Sequence, residues 1–244
     1  MRLQLISDLH LDHHTTVPPV TKSADILVIA GDIANGFTDE AQRFLTTMAS
    51  QFEQVIFILG NHDFYGWQPM EDVILEVERW VNARSNLIFL HNDYTEIEGK
   101  LVFGGPMWTA YWGIMQARLV AETSMLDFDQ IGKGYQRPTP SDFVYEHTKF
   151  CEALGNLPAP ADLIISHHAP SKLCIDERFA GSRLNPAFCE PMTLEYKTTW
   201  VHGHMHQFQD IIVPELSDSR VVRNPYGYGH GEELGYDPAF TIEI

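Results

Sequence analysis

The sequence contains few cysteines and no long apolar run. Cys151, Cys174 and Cys189 are widely spaced and form no CxxC pair, which argues against a disulfide framework. No apolar run approaches the roughly 18 residues that a membrane-spanning helix needs. The first residues lead directly into a short apolar segment and an acidic turn, which does not resemble a signal peptide. These features predict a cytoplasmic protein with reduced thiols and no membrane partner.

Basic residues are also scarce. The chain has 16 Lys and Arg residues against 33 Asp and Glu residues, which gives a formal net charge of −17. A field of this sign repels long polyanions, and nucleic-acid binding normally depends on basic patches. The charge therefore argues against nucleic acid as a partner, although bound metal ions would reverse the local sign. The simplest interpretation of the acidity is solubility.

The chain shows no internal repeat and no low-complexity linker. Short apolar runs alternate with amphipathic stretches, which is typical of an α/β fold. Helices are predicted after Thr38, from about Pro69 and after Thr139. In the second half, closely spaced strands with few helices between them predict a partly mixed sheet. The predicted strands cover residues 3–6, 26–30, 55–59, 87–90, 101–103, 163–165, 199–201, 211–213, 221–222 and 240–242.

At 244 residues the chain is long enough for one large domain, and we expect a single domain over residues 1–244. Residues 105–140 form the least regular region and are rich in glycine, proline and aromatic residues. Irregular segments of this length commonly carry binding functions. We therefore predict a lid-like insertion at about 105–140 that covers one end of the sheets.

Six short polar segments each follow the end of an apolar run. In α/β proteins the carboxyl ends of the strands are where ligands bind. A spacing of one residue, as in Asp8 and His10, directs two side chains to the same side of an extended backbone. Any one segment is compatible with an ordinary turn, but the set predicts a metal site. The segments are Asp8-Leu9-His10, Gly31-Asp32, Gly60-Asn61-His62-Asp63, Ser166-His167-His168, Gly203-His204 and Met205-His206.

The candidate ligands are imidazole, carboxylate and amide groups. The segments hold six of the 12 histidines. His167 and His168 would point to opposite faces of a continuing strand, so only one of them should be a direct ligand. A donor set of nitrogen and oxygen without thiolate fits Mn, Fe, Zn or Ni and disfavours a structural zinc cage.

The order of these segments resembles the calcineurin-like metallophosphoesterases, and the resemblance spans residues 8–206. Trp108-Thr109, Asp127-Phe128 and the run from Asn224 to Tyr228 are similar to an uncharacterised bacterial branch of that superfamily. The resemblance implies an α/β fold, a four-layer α/β/β/α sandwich of two mixed sheets with the helices outside.

The resemblance also implies two divalent metal ions and a role for each segment. One ion would be held by Asp8, His10, Asp32 and His206. The other would be held by Asp32, Asn61, His167 and His204, with Asp32 bridging the two. His62 would act as a catalytic group outside the ligands, with Asn35, Asp63 and His168 behind them.

The sequence departs from the family pattern at Asn35. Many members have a second aspartate there, three residues after the metal-binding one, which orients the histidine of the Asn-His pair. Asn35 can still accept a hydrogen bond from His62, but an amide does not stabilise an imidazolium as a carboxylate does. This substitution weakens the expected role of His62 as a general acid.

The resulting hypothesis is a metal-dependent phosphohydrolase that cleaves a phosphate mono- or diester of a small molecule. The nucleophile would be a hydroxide that bridges the two metals, and His62 would stabilise or protonate the leaving oxygen. A non-catalytic metal-binding scaffold of the same fold is the alternative, and a nuclease is disfavoured by the charge. The substrate contacts predicted from the irregular segments are Trp108, Arg137 and Arg183, with Tyr111, Lys133, Arg178, Phe179, Asn185 and Phe188 nearby. The oligomeric state stays open.

Overall fold

Two mixed β-sheets lie face to face in the computed structural model, which describes residues 1–134, 136–229 and 234–244. The first sheet has the order β11-β1-β2-β3-β4, in which β11 is antiparallel to β1 and the other neighbours are parallel. Its strands are β1 (Arg2–Ile6), β2 (Ile26–Ala30), β3 (Gln54–Ile58), β4 (Leu87–Phe89) and β11 (Thr241–Glu243).

The second sheet has the order β5-β6-β7-β8-β10-β9, with a parallel centre and an antiparallel strand at each edge. Its strands are β5 (Asp93–Ile97), β6 (Lys100–Gly105), β7 (Leu163–Ser166), β8 (Thr199–Val201), β9 (Gln209–Val213) and β10 (Ser219–Arg223). The α-helices are α1 (Asp39–Gln51), α2 (Met70–Val81), α3 (Met115–Ser124), α4 (Asp127–Gln130), α5 (Pro140–Gly155) and α6 (Asn185–Phe188).

Strand β2 shows how the layers are built. All five of its residues are buried, and successive side chains point to opposite faces of the sheet. Val28 and Ala30 belong to the apolar cluster between the two sheets, whereas Ile29 packs in the cluster that contains Phe44 of α1. On the outer face of the second sheet, Ile164 packs in the cluster that contains Phe150 of α5. The predicted four-layer sandwich is therefore confirmed, and its continuous apolar strands are buried on both faces.

The helix starts follow capping chemistry. The Thr38 hydroxyl accepts the N–H of Ala41 at the start of α1. Thr139 and Asp142 form a capping box at the start of α5, which satisfies backbone N–H groups that have no partner within the helix. Both starts agree with the prediction.

The region 105–140 is more helical than its sequence indicates. It contains α3 and α4, and Tyr135 within it lies outside the described residues. Helix α3 buries only the small side chains of Ala117 and Ala121, so it carries little apolar periodicity. Strand β5 was not predicted because it is a polar edge strand whose first two residues, Asp93 and Tyr94, are exposed. Within the described residues, no helix combines the length and apolarity needed to span a membrane.

Candidate metal centre

The predicted ligands gather where the two sheets meet at the carboxyl ends of their parallel strands. The His167 Nδ1–H, after β7 of the second sheet, donates to the carbonyl of Ala30 in β2 of the first sheet at 2.9 Å. The Gly203 N–H donates to the His167 carbonyl at 3.1 Å, and the Ser7 N–H donates to the Asn224 carbonyl at 3.2 Å. The first and third of these contacts join the two sheets, the second joins two loops of the second sheet, and together they place residues from both sheets in one site.

Glycines permit this close approach. A β-carbon at Gly203 would lie 2.7 Å from the Ala30 carbonyl oxygen and 2.9 Å from the Asp8 carboxylate. A β-carbon at Gly60 would collide with the Asp32 carboxylate. A larger residue at either position would therefore separate the ligand loops.

Four of the predicted ligands have a left-handed backbone. The φ angles are 53° for Asp8, 42° for His10, 55° for Asp32 and 65° for His204. A non-glycine residue pays about 1 kcal/mol or more for this conformation, which is concentrated at functional sites. Strand β1 ends at Ile6 and β8 at Val201, so the extended period-two spacing assumed for the Asp8–His10 and His204–His206 pairs is wrong. The side chains converge because of turns.

The first cluster consists of Asp8, His10 and His206, whose ligand atoms lie within 4.8 Å of one another. The Nε2 atoms of His10 and His206 are 3.1 Å apart, and the His206 Nε2 lies 3.4 Å from Asp8 Oδ1. Burial lowers the pKa of His10 to about 3, so this imidazole is neutral and has a lone pair to offer. The arrangement suits a cation between the two rings and the carboxylate.

The second cluster consists of Asp32, His167 and His204, also within 4.8 Å. The His167 Nε2 lies 3.2 Å from Asp32 Oδ2 and 3.1 Å from Asn61 Oδ1. Burial alone would lower the pKa of His167, but the charges of Asp32 and Asp8 outweigh it and raise the pKa to about 9. The cluster thus favours positive charge at this nitrogen, which a proton or a metal ion can supply.

The two clusters share Asp32 and fit divalent metal ions. Asp32 Oδ2 lies 3.7 Å from the His10 Nε2 of the first cluster as well as close to His167. The His204 Nε2 is buried and has no hydrogen-bond partner among the described residues. Burial holds the pKa of His204 well below its usual value, so this nitrogen is an unprotonated donor. Buried nitrogen and oxygen donors that converge in this way are suitable ligands for Mn, Fe, Zn or Ni.

The residues predicted to lie behind the ligands hold them in position. The Asp63 carboxylate accepts the N–H groups of Asp32 at 2.8 Å, Ile33 at 2.9 Å, Ala34 at 3.3 Å and Gly60 at 2.8 Å. It therefore ties the loop after β2 to the loop after β3.

His168 packs against the proposed ligand His204. Its Nδ1–H donates to the Pro106 carbonyl at 3.1 Å, and its ring centroid lies 4.5 Å from that of His204. Burial and the neighbouring His167 lower the pKa of His168 to about 3, so it packs as a neutral ring.

Asp127 is an orienting residue to which the sequence analysis assigned no role, although Asp127-Phe128 was among the segments that carry the family resemblance. Its Oδ1 accepts hydrogen bonds from Asn61 Nδ2 at 2.7 Å and from the Tyr65 hydroxyl at 2.8 Å. The amide nitrogen of Asn61 is thereby turned away, which leaves its Oδ1 directed at His167. Such orienting contacts behind a ligand commonly tune metal affinity.

His62 lies beside the clusters with both ring nitrogens engaged. Its Nδ1–H donates to Asn35 Oδ1 at 2.7 Å, and its Nε2 lies 3.0 Å from the Tyr228 hydroxyl. His62 is also close enough to His10 and Asp32 to be a third possible ligand group. Its engaged nitrogens favour the predicted position outside the ligands.

A carboxylate stands behind Asn35. Asn35 Nδ2 donates to Asp12 Oδ2 at 2.6 Å, and the Asn35 N–H donates to Asp12 Oδ1 at 2.9 Å. Asp12 therefore fixes the amide so that its oxygen faces His62. The aspartate that the family pattern places next to the histidine is replaced here by an asparagine with an aspartate behind it.

A cavity of about 600 Å³ opens directly onto the metal centre. Its floor includes Asp32, Asn61, His62, His204 and His206. The described residues of its walls are Tyr65, Ser124, Met125, Leu126, Asp127, Asp176, Arg178, Phe179, Ser182, Leu184, Asn185, Phe188, Met205, Gln207, Arg223, Tyr228, Gly229 and Leu234. Part of the predicted 105–140 insertion, at Ser124 to Asp127, thus borders the centre.

None of the three predicted substrate contacts lines this cavity. Trp108 is 3% exposed and stacks on Phe143 at a centroid distance of 4.4 Å. Arg137 forms an ion pair with Asp129. Arg183 is exposed and, like the other two, is not among the residues that line the cavity. Arg178, Phe179, Asn185 and Phe188, which had been noted in the same irregular segments, do line it.

Comparison with known proteins agrees with this geometry. The model of the calcineurin-like phosphoesterase family matches residues 1–208. The crystal structure of phosphopantetheinyl hydrolase (PptH) from Mycobacterium tuberculosis has the same fold, with a TM-score of 0.70 and 14% identity over 99% of this chain and 95% of that chain. A second solved structure aligns at 13% identity and a TM-score of 0.48, over 92% of this chain and 90% of its own. No curated protein sequence matches this chain significantly. The match to more than three quarters of the sequence, together with the fold, shows that the chain belongs to the calcineurin-like phosphoesterase family.

Proposed function

We propose that this protein is a metal-dependent phosphohydrolase that cleaves a phosphate mono- or diester of a small molecule. The observation that carries the proposal is the convergence of buried nitrogen and oxygen donors from both sheets on the floor of one cavity. In this proposal two divalent ions are bound, and Asp32 is shared between them. The proposed ligands are Asp8, His10, Asp32, Asn61, His167, His204 and His206.

The metal ions, when bound, would supply a hydroxide nucleophile at neutral pH and stabilise charge on the phosphoryl oxygens. The ions outweigh the carboxylates of Asp8 and Asp32, so the centre attracts a phosphate although the formal net charge of the chain is −17. The chain itself contributes ligand atoms that already lie close together.

We propose that His62 contacts the leaving oxygen of the substrate. Asn35 accepts its Nδ1–H, which directs the Nε2 edge of the ring toward the Tyr228 side of the cavity. The Tyr228 hydroxyl lies 3.0 Å from that nitrogen, so an oxygen that enters there contacts both groups. Because Asn35 is neutral, His62 receives less stabilisation as an imidazolium than a direct carboxylate would give. Because Nδ1 already carries a proton that it donates to Asn35, Nε2 can donate to the departing oxygen only when the ring is protonated, so the assigned role is that of a weakly supported general acid.

The test is a metal count combined with a substrate panel. The purified protein would be analysed for bound metal, stripped by chelation with verified removal, and reloaded with Mn, Fe, Zn or Ni. Phosphate release would be followed on p-nitrophenyl phosphate, bis(p-nitrophenyl) phosphate, nucleotides and short DNA. We expect about two equivalents of metal, loss of hydrolysis after removal and recovery on reloading.

The other outcomes identify the competing functions. Two bound metals without hydrolysis of any ester would favour the non-catalytic scaffold. Full activity after verified metal removal would refute the metal dependence. A strong preference for DNA would favour the nuclease, which the acidic composition disfavours.

A further inference from the structure

The wall of the cavity exposes large apolar side chains beside a polar metal centre. Leu126 is 61% exposed and Phe179 is 53% exposed, and both line the cavity together with Met125, Leu184 and Phe188. Apolar groups concentrated at one cavity mouth mark a binding surface, and small-molecule sites are mostly apolar with a few placed polar groups. The wall therefore suits a chemical group that is less polar than a phosphate.

Among the described residues that line the cavity, every arginine is paired with another group of the protein, and no lysine is present. The arginines are Arg178 and Arg223. Arg178 pairs with both oxygens of Asp176, at 3.1 Å and 3.2 Å. Arg223 is 1% exposed, and its guanidinium donates to the carbonyls of Gln207 and Cys174. Arg223 therefore links the segment of Cys174 to the loop that carries the proposed metal ligand His206, and its guanidinium is not available to bind a substrate anion.

Acidic groups reinforce this charge pattern. Asp127 also lines the cavity, and Asp176 is balanced by Arg178, so a second anionic group placed along the wall would find no free cation among the described lining residues. Arg137 and Arg183 are not among those residues, although Arg183 lies in sequence between Ser182 and Leu184, which are. A second phosphate or a carboxylate on the substrate would thus lose hydration without compensation.

We propose that the alcohol esterified to the phosphate is an uncharged organic group with an extended apolar part. In this arrangement, which rests on the proposed phosphohydrolase function, the phosphate lies at the metal centre. The alcohol lies along Leu126, Phe179 and Phe188. The volume of about 600 Å³ falls within the range typical for sites that enclose a small organic molecule.

The test is a chain-length series on the metal-loaded protein. Methyl, propyl and hexyl phosphate have leaving alcohols of similar acidity, so differences in kcat/KM report on the wall. The corresponding methyl diesters extend the series, and phosphorus NMR follows both. Each methylene that leaves water should raise kcat/KM by about two- to fourfold. From methyl to hexyl phosphate we expect a rise of roughly 30-fold or more.

A charged analogue of equal length tests the electrostatic half of the proposal. The phosphate ester of 6-hydroxyhexanoate matches hexyl phosphate in carbon number but ends in a carboxylate. We expect it, and ATP, to be hydrolysed at least tenfold less efficiently than hexyl phosphate. A flat chain-length series, or a preference for the carboxylate or for ATP, would overturn the proposal. Absence of hydrolysis throughout both series would instead refute the phosphohydrolase function itself.

Matched leucine variants locate the effect on the wall. Leu126→Ala should reduce the hexyl-to-methyl ratio of kcat/KM by about three- to tenfold, and Phe179→Ala should do the same. Leu119 is similarly exposed at 55% but lies on α3 away from the cavity lining, so Leu119→Ala should leave the ratio unchanged. Leu126→Lys should reduce the difference in kcat/KM between hexyl phosphate and the carboxylate analogue. Unchanged ratios in both wall variants would exclude this wall as the alcohol site.

Discussion

The metal centre and the apolar wall of the cavity are built in different ways. Asp8, His10 and His167 are fully buried and follow parallel strands, whereas Leu126 and Phe179 are more than half exposed and belong to short turns and one-turn helices. The centre is held by the sheets, and the wall is held by connecting segments. In the proposed function the chemistry and the specificity therefore lie on separate structural elements, and the second could change without the first.

Hydrogen bonds to the backbone make the centre rigid. Asp8 Oδ1 accepts the His204 N–H at 2.7 Å, and Asp32 Oδ1 accepts the His62 N–H at 2.9 Å. These bonds link loops from different strands and offset the cost of the left-handed backbone at Asp8 and Asp32. Few such bonds hold the side chains of the wall, so we expect the wall to tolerate substitution better than the metal centre does.

Loss of the shared carboxylate should have the largest effect. Asp32→Asn removes a charge from both clusters, and the metal ions that it is proposed to hold would supply several kcal/mol of transition-state stabilisation. We expect kcat/KM to fall by about 10³-fold or more and the bound metal to fall below two equivalents. Asp210→Asn is the control, because Asp210 forms an exposed ion pair with Arg220 and should be neutral. A variant that keeps both metals and turns over within tenfold of the parent would contradict the shared role.

Removal of His62, which lies beside the metal clusters and lines the cavity, should have the next largest effect. His62→Ala should lower kcat/KM for hexyl phosphate on the order of 10²-fold, near the lower end of the range for a positioned acid. The loss on p-nitrophenyl phosphate should be below tenfold, because that leaving group needs little help. Metal content should be unchanged. Loss of metal instead would place His62 among the ligands, and equal losses on both esters would remove its assignment to the leaving oxygen.

The sequence is most informative about the centre because the ligand chemistry demands particular residue types after particular strands. The strands at residues 26–30, 55–59 and 163–165 were readable as continuous apolar runs, and the ligands follow each of them directly. Their left-handed backbone was not predicted, since positive φ angles are uncommon even for Asp and His, which adopt them more often than other non-glycine residues. The structure brings the side chains of these segments together, but the local geometry assumed for them was wrong.

The wall was poorly predicted because its signal is not periodic. Helix α3 buries only alanines on one face, and the basic residues near it appeared to be substrate contacts. In the structure Arg137 is instead paired with a neighbouring carboxylate. Asp12, Asp127 and Tyr228 act through contacts between residues far apart in sequence, such as the 66 positions between Asn61 and Asp127. A single sequence does not reveal pairings of that kind.

The smallest expected effect concerns Asn35 and Asp12, which stand behind His62. Asn35→Asp restores the family aspartate but places a second carboxylate against Asp12, since Asn35 Nδ2 and Asp12 Oδ2 are 2.6 Å apart. Asp12→Asn removes the group that fixes the Asn35 amide, which can then turn its nitrogen toward His62. Each single variant should lower kcat/KM for hexyl phosphate by about three- to fivefold, the scale of one hydrogen bond near the surface.

The double variant Asp12→Asn with Asn35→Asp exchanges the two groups and should recover the loss. It keeps one amide and one carboxylate in contact while it places the carboxylate directly on His62 Nδ1, as in the family pattern. We expect kcat/KM on hexyl phosphate within twofold of the parent or above it, and little change in any variant on p-nitrophenyl phosphate. Purely additive losses in this double-mutant cycle would show that the two residues act independently of each other. Recovery would show that the chain supports His62 through two residues where its relatives use one.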